Sequence, residues 1–282
     1  MLCLNLCEIH PQLILSEDTF DGLIFAVEQN QKKKIERVSI GSSFCSQFFL
    51  KAPCIDELIS YIDCRGWPIT LTVPIFSQKD LSKGKEKILQ LCRTWRERVD
   101  EVTCNDVGML GWLENNIPQR INMGQLFFKD PRDCRYDSYQ TGSRSLLRAT
   151  FPIAKFVSGV ELSPVAAGIN LSGSTFENRP VALHQPYCYI TTGQICKFAS
   201  IDSNIEQKFR PNSICTLSCA SVCEKTYFDE KADHYLLRAG RTVYFKQYSR
   251  VLKYNGHVRV LYWPFDELVQ LRGLKNEDTY TA

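Results

Sequence analysis

A repeated alternation of short apolar runs with amphipathic ones most constrains this fold, and its units are about 30 residues long. Ile69–Val73 has the β-branched composition of a buried strand and ends at Pro74. Lys83–Arg98 carries apolar residues on one helical face and charges opposite. Further strands are predicted at Leu2–Leu6, Arg37–Ile40, Glu101–Cys104, Lys155–Leu162 and Pro180–His184, and further helices at Asp18–Gln29, Cys54–Ile62 and Val107–Glu114. Such units predict right-handed crossovers, a parallel sheet and an α/β fold of the TIM-like barrel kind, regular or irregular.

The last part of the chain has a different pattern. Closely spaced strand-like runs occur at Tyr235–Arg241, Val243–Tyr248, Val251–Tyr254 and Val258–Trp263, and a helix follows from Asp266. No stretch has the composition of a linker, and 282 residues suit one barrel of about 250. We therefore expect a single TIM-like domain over residues 1–282, with a cysteine-rich segment at 188–223 and a β-rich closing segment at 235–282.

Composition excludes several classes of protein. A net charge of +3 gives no argument for a polyanion partner, and no apolar run approaches the ~20 residues that span a bilayer. The start, MLCLNLCEIH, lacks a basic region and reaches Glu8 too early for a signal peptide. We expect a cytoplasmic protein without a membrane span, in a compartment where disulfides are rare.

Thirteen cysteines are the unusual feature of the composition. Five of them lie within residues 188–223, and the last three are spaced C-x3-C-x3-C; they are Cys188, Cys196, Cys215, Cys219 and Cys223. Structural zinc sites favour C-x2-C pairs, whereas the looser spacing suits an iron–sulfur cluster at least as well. The alternative is that these are packing residues, because free cysteine is among the most buried residue types.

Polar residues at predicted strand ends are candidates for catalysis, because barrel active sites gather at that face. Asn105 and Asp106 follow one strand, although Asp106 equally fits a helix cap before Val107. Glu161 and His184 end two other strands, and the alternative for His184 is a satisfied structural histidine. Motifs of metalloproteases, α/β-hydrolases and dinucleotide-binding folds are absent from the sequence.

Several segments together resemble the collagenase-like peptidase family U-thirty-two. HQPYCYITTGQICKFAS at 184–200 is similar to its core signature, and SICTLSC at 213–219 to the C-x3-C that follows. SIGSSFCSQ at 39–47 resembles a strand end of the branch that acts in anaerobic ubiquinone synthesis, and VTCNDVGML at 102–110 resembles an Asn-Asp turn after a middle strand. The order of these segments supports the resemblance more than any single one.

The resemblance implies a TIM-like barrel with a [4Fe–4S] cluster held by four cysteines. It also implies oxygen-independent hydroxylation of a ubiquinone precursor or an RNA base, with prephenate as oxygen donor and a heteromeric partner of the same family. Cys196, Cys215 and Cys219 match the family's ligands. The fourth is Cys45, which matches the ubiquinone branch, or Cys188, which matches the other; Cys223 is in reserve.

Two further functions remain open at this point. The cysteines equally suit zinc, which would make the chain a zinc-stabilised, non-catalytic binding or assembly barrel. The family name also admits a peptidase. The sequence does not choose between a small-molecule and an RNA substrate.

Overall fold

A computed structural model of the chain describes residues 1–129, 143–144, 148–149, 153–164, 168–171, 178–200, 204–206, 208–209, 215–229, 234–254, 256–272 and 275–280. Its strands, in chain order, are β1 (Leu2–Asn5), β2 (Ile35–Gly41), β3 (Ile69–Val73), β4 (Val99–Cys104), β5 (Arg120–Met123), β6 (Phe128–Lys129), β7 (Ser143–Arg144), β8 (Arg148–Ala149), β9 (Val157–Leu162), β10 (Gly168–Asn170), β11 (Val181–Gln185), β12 (Tyr187–Thr192), β13 (Val222–Asp229), β14 (His234–Ala239), β15 (Thr242–Lys246), β16 (Arg250–Lys253), β17 (Val258–Tyr262) and β18 (Lys275–Tyr280). Its α-helices are α1 (Glu17–Gln31), α2 (Ser46–Lys51), α3 (Ile55–Asp63), α4 (Leu81–Thr94), α5 (Val107–Asn116) and α6 (Phe265–Arg272).

Eight parallel strands close into a barrel in the order β1-β17-β11-β9-β5-β4-β3-β2. The predicted α/β fold of the TIM-like kind is therefore confirmed. The last barrel strand, β17, comes from the segment that the sequence predicts to be β-rich, and it pairs with β1 on one side and β11 on the other. That segment thus contributes to the barrel as well as to a separate sheet.

A second sheet is formed by β12–β15, which are inserted between the seventh and eighth barrel strands, and by β18, which follows the eighth. Its order is β12-β15-β14-β13-β18, antiparallel except for the parallel pair β13–β18. Gln185 and Pro186, joined by a cis peptide bond, lead from barrel strand β11 directly into β12. Within the described residues, no helix is long and apolar enough to cross a bilayer.

Most apolar residues of the barrel strands point outward, to the helices. Val38, Ile40, Leu71 and Val102 are buried in one core cluster with helix residues such as Leu23. The intervening residues point inward, because side chains alternate across a strand. This alternation explains why strands such as β3, with the sequence ITLTV, are buried on both faces.

A network of polar and charged side chains lies inside the barrel beside the small apolar cluster of Cys3, Ala182 and Leu261, unlike the branched apolar filling usual in this fold. On non-neighbouring strands, Arg259 Nη1 of β17 and Glu101 Oε2 of β4 meet across the barrel at 2.7 Å. Thr70 and Asn122 also donate to Glu101 Oε2, at 3.1 and 3.2 Å, and Arg37 lies 3.6 Å from it. We call Arg37, Thr70, Glu101, Asn122 and Arg259 the interior ion network.

The ionised form of Glu101 is favoured by this network. Burial would raise the pKa of Glu101, but the charges of Arg259 and Arg37 outweigh it and hold the pKa below its usual value. Burying a carboxylate costs free energy unless protein groups replace the hydrogen bonds that it made with water. Here the partners of the interior ion network replace them.

Candidate metal centre

The loop after β2 presents the first of the predicted cysteine ligands. Cys45 lies at the N-terminal cap of α2, where its Sγ accepts a hydrogen bond from Phe48 N at 3.4 Å. Cys45 N donates to Ser42 Oγ at 2.7 Å. Because both ends of this residue are held, its thiol has a fixed position near the carboxyl end of the barrel strands.

Glu8, just beyond β1, organises the same loop. Its Oε1 accepts hydrogen bonds from Ser42 Oγ at 2.6 Å, Ser43 N at 2.6 Å and Phe44 N at 3.1 Å. Burial raises the pKa of Glu8 to about 7, although these hydrogen bonds oppose the change. One buried carboxyl group therefore ties β1 to the residues that lead into Cys45.

Four cysteines converge at this point. Burial raises the pKa of Cys219, and the charges of Cys45, Cys196 and Cys215 raise it further. Burial likewise raises the pKa of Cys45 to about 12, with Glu8 and Cys215 adding to the effect. Since electrostatic influence falls with distance, Cys45, Cys196 and Cys215 lie close enough to Cys219 for their charges to act on it. We call Cys45, Cys196, Cys215 and Cys219 the cysteine site.

Contacts outside the thiols hold the site together. Lys51 Nζ, at the end of α2, donates to Cys215 O at 2.9 Å and so links the two loops that supply Cys45 and Cys215. The short 3-10 turns Phe198–Ser200 and Ser218–Ser221 lie side by side, next to Cys196 and around Cys219. Gly240 also borders the site, because a Cβ on this residue would lie 4.0 Å from Cys219 Sγ.

Arg241 supplies a positive charge beside the cysteine site. It lies in the turn between β14 and β15, and its charge lowers the pKa of both Glu8 and Cys45 against the stronger effect of burial. Its Nε is buried and has no hydrogen-bond partner among the described residues. A cation here would offset the negative charge of ionised thiols.

The cysteine site offers four thiol donors to a metal centre. Across the described ranges, no three His, Cys, Asp or Glu side chains are arranged to hold a single metal ion. A four-iron cluster separates its thiolates further than one ion does, since iron and sulfide lie between them. Four cysteine donors fit such a cluster chemically, and the raised pKa values mean that protons must leave as metal binds.

The two contested cysteines have different positions. Cys188 is buried on β12, where its Sγ donates to Phe245 O at 3.3 Å and packs against Phe245, Ile190 and Leu236. It therefore faces a small apolar cluster of the second sheet. The side chain of Cys223 lies outside the described residues.

Asn105 and Asp106 are engaged in local structure. Asp106 caps α5, as the structural alternative predicts, with Oδ1 accepting from Met109 N at 3.1 Å. Asn105 Oδ1 accepts from Leu126 N at 3.2 Å, and a Cβ on Gly124 would lie 2.2 Å from the same oxygen. Only glycine at 124 permits this approach.

Glu161 and His184, which lie near the ends of two barrel strands, meet inside the barrel. His184 Nε2 lies 3.1 Å from Glu161 Oε2, and both side chains are at most 2% exposed. Trp263 Nε1 and Asn5 Nδ2 approach His184 Nδ1 at 3.0 and 3.4 Å. Since indole only donates, Nδ1 is the acceptor and Nε2 carries the proton that Glu161 receives. Thr103 occupies the other carboxylate oxygen at 2.6 Å, so every polar atom of this pair is engaged.

Sequence reasoning missed Glu8, Lys51, Arg241, Asn5 and Trp263. Glu8 carries one signal that could have been used, because a charged residue lies three positions beyond the apolar strand Leu2–Asn5. Arg241 adjoins Gly240, a turn signal between two predicted strands. Lys51 and Trp263 act through tertiary contacts that no local pattern encodes.

Comparison of the chain with protein families, curated proteins and solved structures found no match. The fold and the cysteine site are therefore the basis for assigning a function.

Proposed function

We propose that the chain is an iron–sulfur protein of the peptidase U-thirty-two type, in which Cys45, Cys196, Cys215 and Cys219 hold a [4Fe–4S] cluster. It would support oxygen-independent hydroxylation of a ubiquinone precursor or an RNA base. The convergence of these four thiols from distant parts of the chain carries the proposal.

The choice among the candidate ligands rests on the placement of the thiols. Cys45 exerts its charge on Cys219, whereas Cys188 is hydrogen-bonded to Phe245 in the second sheet. The C-x3-C spacing of Cys215 and Cys219 suits an iron–sulfur cluster at least as well as zinc, because structural zinc sites favour C-x2-C pairs. A zinc-stabilised barrel is the alternative proposal.

When bound, the cluster would supply electron transfer or a Lewis-acidic iron. The residues of the chain position and shield it. Glu8 orders the loop before Cys45, Lys51 fixes the Cys215 loop, and Arg241 balances negative charge. The buried pair of Glu161 and His184 supports the inside of the barrel and leaves no free atom for proton transfer in this conformation.

Anaerobic isolation followed by iron, sulfide and zinc assays tests the proposal. We expect about four irons and four sulfides per chain, as in a [4Fe–4S] cluster. The matched variants are Cys45→Ala, which should lose iron, and Cys188→Ala, which should keep it. Two outcomes would contradict the proposal. One is a colourless chain that contains no iron after reconstitution, and the other is a chain with one equivalent of zinc that is released only on unfolding.

The substrate class needs a separate assay. Reconstituted chain, with its partner if one co-purifies, is incubated without oxygen with prephenate and either an aryl ubiquinone precursor or unmodified RNA. Hydroxylated product in one arm identifies the class. If neither product forms with a fully loaded cluster, the hydroxylation part of the proposal is wrong.

A further inference from the structure

A polar cleft lies outside the barrel, away from any of the four thiols. Its volume is about 640 Å³, within the range of small-molecule sites. It is lined by the end of α1, by residues of the four strands β13, β14, β15 and β17, and by the first turns of α6. Its polar lining includes Asn30, Lys225, Tyr235, Lys246, Tyr248, Tyr262, Asp266 and Glu267. We call it the tyrosine cleft.

Glu267 is the unexplained group in this cleft. It is 2% exposed, and its Oε1 accepts hydrogen bonds from Asn30 Nδ2 and Tyr262 Oη, both at 2.8 Å. Its other oxygen, Oε2, is buried and has no hydrogen-bond partner within the described part of the chain. A buried carboxylate oxygen without a donor is costly, so its presence beside a cleft indicates a missing donor.

The neighbouring carboxylate is already neutralised. Asp266 Oδ2 lies 3.0 Å from Lys246 Nζ, and its Oδ1 accepts from Tyr187 Oη at 2.7 Å. Burial and the adjacent carboxylates raise the pKa of Tyr262, so its phenol stays protonated and adds no negative charge. Glu267 is consequently the carboxylate of this cleft that lacks a hydrogen-bond donor, at its Oε2.

One aromatic ring of the cleft, that of Tyr235, contacts the ammonium group of a lysine side chain. Lys225 Nζ lies 4.7 Å from the centre of the Tyr235 ring. Tyr248, half exposed, and Tyr262 present further rings on the same cleft. Aromatic faces beside a carboxylate are the surroundings that favour organic ammonium and guanidinium groups.

We propose that the tyrosine cleft binds a small organic cation whose ammonium or guanidinium group donates a hydrogen bond to Glu267 Oε2. A bare metal ion fits less well, because no three metal-ligating side chains come together among the described residues. The inference stands independently of the cysteine site.

Titration calorimetry of the full chain with 1,4-diaminobutane, agmatine and neutral 1,4-butanediol tests the proposal. We expect saturable binding of one or both cations and none of the diol. Glu267→Gln keeps the acceptor for Asn30 and Tyr262 but removes the charge, and it should weaken binding at least ~10-fold, the usual scale for losing a charged hydrogen bond. Tyr248→Ala should weaken binding several-fold by removing an aromatic face.

Glu114→Gln, an exposed carboxylate on α5, is the matched control and should bind like the unaltered chain. Thermal unfolding of each variant checks folding, and the cation should raise the melting temperature of every chain that binds it. Equal binding by Glu267→Gln, binding of potassium in place of both amines, or no binding at all by the folded chain would overturn the inference.

Discussion

At the scale of single residues, Glu8 is the side chain on which the cysteine site most depends. It is the only carboxylate bonded to both backbone amides before Cys45 among the described contacts. Glu8 lies on the loop after β1, and β1 pairs with β2. Its hydrogen bonds to the loop after β2 therefore hold the Cys45 thiol in a fixed position relative to both strands.

Replacing Glu8 by alanine should disorder that loop. Two backbone amides and the Ser42 hydroxyl lose their acceptor, at about 1–3 kcal/mol of the free energy of unfolding for each unsatisfied donor left buried. We expect reduced iron per chain after reconstitution and faster loss of iron to a chelator. Glu114→Ala is the control, and an iron content equal to that of the control would contradict this role.

Residue-level prediction from sequence succeeded where chemistry is local. A helix cap at Asp106 could be predicted because a single polar residue precedes the helix. The structure contains the capping hydrogen bond from Met109 N to Asp106 Oδ1. The engagement of His184 by Trp263 could not be predicted, since the two residues are 79 positions apart and meet only when the barrel closes.

At the scale of elements, the end of β2 is the most constrained position in the fold. Gly41 has φ of +105°, and a Cβ there would lie 2.3 Å from Thr72 O. That carbonyl cannot move freely, because it accepts a hydrogen bond from Ser42 N at 3.0 Å. The turn that leads to Cys45 therefore requires glycine.

Gly41→Ala should destabilise the protein by more than ~3 kcal/mol, since a backbone clash adds to the strain of positive φ. Gly66→Ala is the matched control, with φ of +69° and no atom within 4 Å of the added Cβ, and should cost only about 1–2 kcal/mol. Urea unfolding measures both. Similar losses for the two variants would show that the clash is relieved.

Element positions were predictable to within a few residues. Ile69–Val73 is identical in sequence prediction and structure, because its β-branched run ends at a proline. The helix predicted at Lys83–Arg98 instead spans Leu81–Thr94, since helix ends depend on tertiary contacts. The short strand Arg120–Met123 was missed because only its last three residues are buried.

At the scale of the whole molecule, the interior ion network should make the barrel sensitive to acid. The pKa of Glu101 is lowered in the folded state from an ordinary value of 4.5, so its contribution to stability is present above that pH and is lost as the pH falls below it. Breaking a buried pair at neutral pH costs about 3–5 kcal/mol.

Glu101→Gln should therefore be strongly destabilised at about pH 7, and its difference from the unaltered chain should shrink below about pH 4. Urea unfolding over this range measures the difference. Glu97→Gln, an exposed carboxylate, is the control and should run parallel to the unaltered chain. A difference that is independent of pH would contradict an ionised Glu101.

Barrel closure gives a second prediction at this scale. A chain ending at residue 257 lacks β17 and leaves β1 and β11 without a partner on one side. Unpaired strand edges promote aggregation, so we expect aggregates in size-exclusion chromatography. A chain ending at residue 280 keeps β17 and also β18, the partner of β13, and should stay monodisperse. A monomeric, cooperatively unfolding 257-residue chain would contradict the role of β17 in closure.

The α/β class was predictable because each strand-helix unit is encoded locally. The insertion of four strands of a second sheet before the eighth barrel strand was not, since strand-like runs at Val243–Tyr248 and Val258–Trp263 look alike in sequence. Only pairing with β1 separates the second from the first.

The place of β17 between the first and the seventh barrel strands also sets the order of assembly during synthesis. All four thiols of the cysteine site leave the ribosome before β17 does, as do Arg37 and Glu101. Those charges stay hydrated until Arg259 arrives on the very strand that seals the wall. Dehydration of the interior and neutralisation of its carboxylate therefore both depend on the placement of β17.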